Sequence, residues 1–176
     1  LIGLEAAKTL AFVHNKPLIP VHHIAGHIYA NNIEKEMKFP LMALIISGGH
    51  TELLYMKDHF DYEVVGRTFD DAVGECYDKV GRVINVPYPG GPEIDRLAHI
   101  GNCSYKLPVP LNDESFNFSF SGLKSAVINL VHNLEQKGEV LNKEDLACSF
   151  QNVVVDSLSN KTVKAMEKYN AKNLIL

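Results

Sequence analysis

Long apolar runs are missing from this chain. None of its stretches reaches the roughly 18 residues that cross a bilayer, and no basic-then-apolar leader precedes Glu5 and Lys8. The expectation is a chain with no membrane segment. Cysteine is scarce: Cys76, Cys103 and Cys148 are odd in number and far apart, with no Cys-x-x-Cys. That excludes the disulfide framework of a small secreted domain and predicts reduced thiols in a cytoplasm. Positive charge is in deficit, with 17 Lys and Arg against 21 Asp and Glu and a formal charge of −4. A chain that grips nucleic acid unaided carries a basic surface, so composition argues against autonomous nucleic-acid binding. Internal repeats and low-complexity segments are absent as well. What is present suffices for folding. At 46% hydrophobic and 22% charged, the 176 residues can bury a core as one ordinary domain or two small lobes.

Histidine is where the chain is rich. Three of its eight lie within Pro20-Val21-His22-His23-Ile24-Ala25-Gly26-His27. The run Leu18-Ile19-Pro20-Val21 reads as a short buried strand, and residues 22–36 read as a helix. On that helix His23 and His27 stand four apart, on one face. Two neutral imidazoles so placed can grip one metal ion and leave positions for other ligands. The alternative is that the rings only hydrogen-bond within a packed helix–strand junction. Zinc peptidases use the same spacing, but their His-Glu-x-x-His sets a general base beside the first ligand. Here Ile24 follows His23, so this helix supplies no hydrolytic base.

Around that stretch the pattern is α/β. Residues 1–15 read as a helix with Leu1, Leu4, Leu10 and Ala11 as a rough stripe, ended by Asn15 and Pro17. A domain boundary falls near Phe39. Leu41–Ile46 is continuously apolar, as in a strand buried on both faces, and further strands follow at 52–56 and 61–66. Gly48-Gly49 between the first two signals a hairpin. Ser47-Gly48-Gly49-His50-Thr51 is either a plain turn or a nest of amides open to an anion. Residues 71–84 form an amphipathic helix, with Val73, Cys76, Tyr77, Val80 and Ile84 on one face. Asp71, Glu75, Asp78 and Arg82 lie opposite, and Asp78 is either solvated or bound to ligand hydroxyls. Gly90-Gly91-Pro92 launches a helix over 93–99, where a phosphate or adenine edge could approach the backbone and Asp95 faces out. Short strands are expected around 105–109 and over 116–121. A helix over 122–137 carries Lys124 in its first turn, against the dipole preference. A long helix runs from the cap Asn142 to Asn170, with a basic stripe of Lys161, Lys164, Lys168 and Lys172. Leu174-Ile175-Leu176 begins a strand. Both ends read as cut, which predicts a piece of a longer protein.

Five blocks together resemble one family. They are the histidine stretch 20–27, Ser47-Gly48-Gly49-His50-Thr51-Glu52-Leu53, residues 70–79, Tyr88-Pro89-Gly90-Gly91-Pro92, and Phe118-Ser119-Phe120-Ser121-Gly122-Leu123-Lys124. In order and spacing they look like the tRNA N6-adenosine threonylcarbamoyltransferase family, once labelled a sialoglycoprotein endopeptidase. The resemblance implies an actin-like ATPase fold, shared with actin, sugar kinases and heat-shock chaperones, with two lobes around a nucleotide cleft. Residues 1–39 would end the first lobe. Residues 40–176 would make most of the second, with a helical insertion at 71–138 and its C-terminal end missing.

Carried over by residue, the resemblance makes His23 and His27 ligands of a divalent metal, Fe2+ or Zn2+. It makes Ile45, Ile46, Ser47, Gly48 and Gly49 a phosphate hairpin, and Asp78, Gly91 and Asp95 nucleotide contacts. The nucleotide would be threonylcarbamoyl-AMP or ATP. The implied reaction moves threonylcarbamoyl to N6 of adenosine 37 in tRNAs reading codons that begin with A. The implied partners are tRNA, an actin-like paralogue and a small P-loop ATPase, all in the cytoplasm. A further metal-ligating aspartate and the first phosphate loop would lie outside these residues, leaving this piece inactive alone. Two other readings compete. A non-catalytic actin-like scaffold would not need the histidine pair, and a metalloendopeptidase would need the missing glutamate.

Overall fold

Leu41–Ile46, whose first five residues are all buried, forms β1, an inner strand of a four-stranded sheet. The structure, a computed structural model, describes residues 2–176. β2 (Thr51–Asp58) pairs antiparallel with β1, from Ile46 opposite Thr51 to Leu41 opposite Met56. β3 (Asp61–Arg67) pairs antiparallel with β2, with register shifts at Leu53/Leu54 and between Met56 and Asp58. β4 (Asn173–Ile175) lies parallel to β1 on its other side. The order is therefore β3-β2-β1-β4, a mixed sheet in an α/β chain.

Two compact units divide the chain, Leu1–Glu36 and Met37–Leu176. The first contains α1 (Ile2–Val13) and α2 (His23–Glu34). No residue of α1 is buried. Leu4 and Leu10 of the expected stripe are exposed, and Leu1 lies outside the described residues. The second unit adds α3 (Val73–Val83), α4 (Gly90–Ala98), α5 (Ser121–Lys137) and α6 (Lys143–Tyr169). Its core joins Met42, Leu44 and Leu53 of the sheet to Val73, Cys76 and Val80 of α3, and to Leu146, Phe150 and Val154 of α6. Each such side chain contributes about 1.5–3 kcal/mol on leaving water.

Side-chain caps, one local and one distant, set where α6 and α5 begin. Asn142 caps α6 from its own chain neighbourhood, its Oδ1 accepting from Asp145 N at 2.9 Å. α5 is capped from fifty residues away. The Asp70 carboxylate accepts from Phe120 N at 2.7 Å and Ser121 N at 3.2 Å, and from the Ser119 and Ser121 hydroxyls. Burial pushes the Asp70 pKa up, but these four donors outweigh it and hold the carboxyl below its ordinary value. Ser121, expected to cap this helix, instead donates to Asp70. Lys124 ion-pairs with Asp71 at 3.4 Å, so its place in the first turn is answered by an internal carboxylate.

Several expectations are overturned. Residues 18–21 form no strand: Pro20 removes a ladder donor, and Leu18, Ile19 and Val21 are exposed. Residues 105–109 are irregular, and 116–121 contribute one isolated bridge, Thr68 to Phe118, in which Phe118 N donates to Arg67 O and Phe118 O accepts from Phe69 N. Lys161 does not belong to an exposed basic stripe. It is buried and donates to Asp113 Oδ1 at 2.8 Å and Ser115 O at 2.9 Å. Cys103 and Cys148 are not reduced thiols but a disulfide, with Cα atoms 4.9 Å apart. Their separation of 45 residues hid a contact that tertiary packing creates. Among the described residues no helix is long and apolar enough to cross a membrane.

Candidate functional site

α2 presents the first constellation. Its N-cap, His22, is extended (φ −67°, ψ 129°), so the helix opens at His23. Ile24, Ala25 and Ile28 are buried, which leaves His23, Gly26 and His27 on the exposed face. The two rings meet edge to face with centroids 4.5 Å apart, and their Nε2 atoms lie 3.2 Å apart. A tetrahedral ion about 2.0–2.1 Å from each of two imidazole nitrogens holds them about 3.3 Å apart. The Nε2 separation therefore matches that of two donors to one metal ion. Among the described residues no third His, Cys, Asp or Glu completes a cluster.

The second unit carries the second constellation, built as a row of contacts. The turn 47–50 closes with Ser47 N donating to His50 O at 2.9 Å. Ser47 Oγ accepts from Gly49 N and His50 N, so two amides of the expected nest are already engaged inside the turn. The turn sits on the start of α3. Thr51 Oγ1 accepts from Val73 N at 2.9 Å, and Ser47 O accepts from Gly74 N at 3.3 Å. The fit requires glycine, since a Cβ at Gly74 would lie 2.8 Å from Ser47 O and 2.9 Å from Gly48 Cα.

One turn along α3 stands Asp78. Its Oδ1 accepts from Gly90 N at 2.8 Å and so caps the first turn of α4. Gly90 is itself packed on α3, where a Cβ would lie 2.8 Å from Tyr77 O. Gly91 differs: nothing lies within 4 Å of the position its Cβ would take. Asp95, four residues on, shares that face of α4 and is exposed. Asp95 Oδ1 accepts from Gln151 Nε2 at 2.9 Å, and Gln151 Oε1 accepts from Tyr77 OH at 3.4 Å.

The structure thus joins the turn at Ser47 and Gly48 to the start of α3, and Asp78 to the start of α4, with Gly91 and Asp95 following along α4. Ile46 and Gly49 are exposed beside them, and Ile45 is buried in β1. Sequence reasoning missed Gly74 and Gln151, and it set Thr51 in the anion nest, whereas the Thr51 hydroxyl caps the start of α3. Gly74 in the first turn of an amphipathic helix was a readable signal, because a glycine there costs helix stability unless a close approach needs it. Gln151 carried none.

Comparison with known proteins agrees with the five sequence blocks. A family model described as tRNA N6-adenosine threonylcarbamoyltransferase matches residues 1–176. Proteins carrying that name from Staphylococcus carnosus (strain TM300) and Staphylococcus saprophyticus are 63% and 61% identical to this chain, and one from Bacillus cereus (strain ATCC 14579) is 59% identical. Each match covers 100% of this chain and 52% of the relative, so the chain spans about half their length. With the model matched from end to end, the chain belongs to the tRNA N6-adenosine threonylcarbamoyltransferase family.

Proposed function

We propose that this chain is part of an enzyme that transfers threonylcarbamoyl from threonylcarbamoyl-AMP to N6 of adenosine 37 in tRNAs reading codons that begin with A. One observation carries the reading: the 3.2 Å pairing of His23 and His27 Nε2 on a helix with no adjacent carboxylate base. Such a pair suits a metal that polarises a carbonyl better than one that activates water for hydrolysis.

His23 and His27 would hold a divalent ion, iron or zinc, with the remaining donors supplied from outside these residues. When bound, that ion supplies Lewis-acid polarisation of the group in transfer. Holding an ion there would engage both Nε2 atoms in place of their contact with one another. In the second unit, the turn 47–49 and the open backbone at Gly91 accept the nucleotide, threonylcarbamoyl-AMP or ATP. Asp95 accepts from its hydroxyls, while Asp78 and Gln151 hold α4 in register. The adenine amine attacks the carbamoyl carbon, a C–N bond forms, the bond to the phosphate oxygen breaks, and AMP departs as the amine loses a proton.

The whole protein would fold as two actin-like lobes, and the mixed sheet with helices packed on it supports that reading. A formal charge of −4 supports tRNA recognition shared with partner proteins, an actin-like paralogue and a small P-loop ATPase, in the cytoplasm. The piece alone would be inactive. The test is His23→Ala and His27→Ala in the full-length protein, reading bound metal and threonylcarbamoyladenosine in tRNA. Metal affinity should fall about 100-fold or more and the modified nucleoside should disappear. A double variant that keeps both refutes the proposal.

A further inference from the structure

We propose that Cys103 and Cys148 form a reversible thiol–disulfide clip that governs how firmly α4 and its Asp95 are held against α6. This rests in part on the nucleotide role given to Asp95 above. The disulfide joins the segment that follows α4 to the second turn of α6. Cys148 and Gln151 are three apart on α6, hence on one face, and Gln151 donates to Asp95 Oδ1 at 2.9 Å. The bond is reachable. Cys103 is exposed, and both cysteines line an open cavity of about 260 Å3 with His99, Gln151 and Asn152.

Opening the bond leaves the segment tethered. Asp145 Oδ1 accepts from Asn102 N and Oδ2 from the Ser104 hydroxyl, and Ser149 Oγ accepts from Tyr105 N. Reduction therefore loosens the segment without unfolding it, as a graded control requires. A tRNA-modifying enzyme works where small thiols are abundant, and disulfides in such compartments are mostly transient or sensing. The exchange balances with two small thiols. One thiolate attacks the exposed Cys103 Sγ, forming a mixed disulfide and releasing Cys148 as thiolate. A second attacks the mixed disulfide, releasing Cys103 and a small-molecule disulfide, and both protein sulfurs take up protons.

The experiment uses the full-length protein equilibrated across ratios of reduced to oxidised glutathione, with thiols trapped by maleimide and mapped by mass spectrometry. Amide exchange over residues 90–105 and binding of a fluorescent ATP analogue are read at each ratio. Cys103 and Cys148 should lose and gain label together, while buried Cys76 stays unlabelled. Exchange over 90–105 should quicken at least about tenfold on reduction, with probe affinity shifting about threefold or more. Cys103→Ser with Cys148→Ser should stay at the reduced values at every ratio. Thiols that never pair, or exchange and affinity both flat across a paired and unpaired series, overturn the proposal. Should Asp95→Ala leave probe affinity unchanged, the nucleotide reading of Asp95 fails, and amide exchange alone decides the clip.

Discussion

Gly74→Ala separates packing from helix propensity at the seam between the turn 47–50 and α3. Alanine in place of glycine stabilises a helix interior by up to about 1 kcal/mol, and less in the first turn. Against this, the new Cβ would meet Ser47 O at 2.8 Å, Gly48 Cα at 2.9 Å and Gly48 N at 3.0 Å. All three are backbone atoms of a turn tied to α3 by Gly74 N–H and to Val73 N by Thr51 Oγ1. The turn must retreat by roughly half an ångström, and overpacking of that kind costs about 1–3 kcal/mol. The clash wins, and a net loss of about 1–2 kcal/mol is expected in urea unfolding. Gly122→Ala is the matched control, since Gly122 is the second residue of α5 and nothing lies within 4 Å of its Cβ position. That variant should gain a few tenths of a kcal/mol. Because the displaced turn is the proposed phosphate contact, Gly74→Ala should also weaken binding of an ATP analogue to the full-length protein about tenfold, equivalent to about 1.4 kcal/mol. A Gly74→Ala protein stabilised like Gly122→Ala, with unchanged affinity, would refute the seam as drawn.

Four further outcomes are expected. Asp78→Ala should cost about 1 kcal/mol through loss of the cap on α4, whereas Asp78→Asn, which keeps an acceptor for Gly90 N, should recover most of it by urea denaturation. The folded-state pKa of Asp70 lies below the ordinary 3.8. Its contribution is therefore complete above that value and is lost as pH falls through the folded value, so the urea midpoint should drop in that acid range and Asp70→Asn should flatten the drop. Gly101→Ala would set a Cβ 2.0 Å from Glu144 O, and a loss of about 3 kcal/mol is expected, visible as a lowered Tm. Burial, with Asp71 adding to it, pushes the Cys76 thiol up to about 12, so iodoacetamide at pH 8 should label Cys76 only at the rate of unfolding.

Local patterns in the chain were enough for the elements whose evidence is periodic. The apolar run of β1, the Gly-Gly turn, the 3,4 spacing of α3, the Asn142 cap of α6 and the i, i+4 placement of His23 and His27 all stand in the structure as read. Each depends on neighbours within about a turn, where backbone geometry alone decides which residues share a face. The proposed strand at 18–21 failed because a strand exists only with a partner, and an apolar composition does not provide one. The rest was decided by packing between segments 12 to 56 residues apart: Asp78 capping α4, Asp70 capping α5, Asp71 answering Lys124, Cys103 joining Cys148, and Gln151 steadying Asp95. No period in the sequence announces such pairs, because a side chain finds a distant partner only after the core has fixed the elements that carry both.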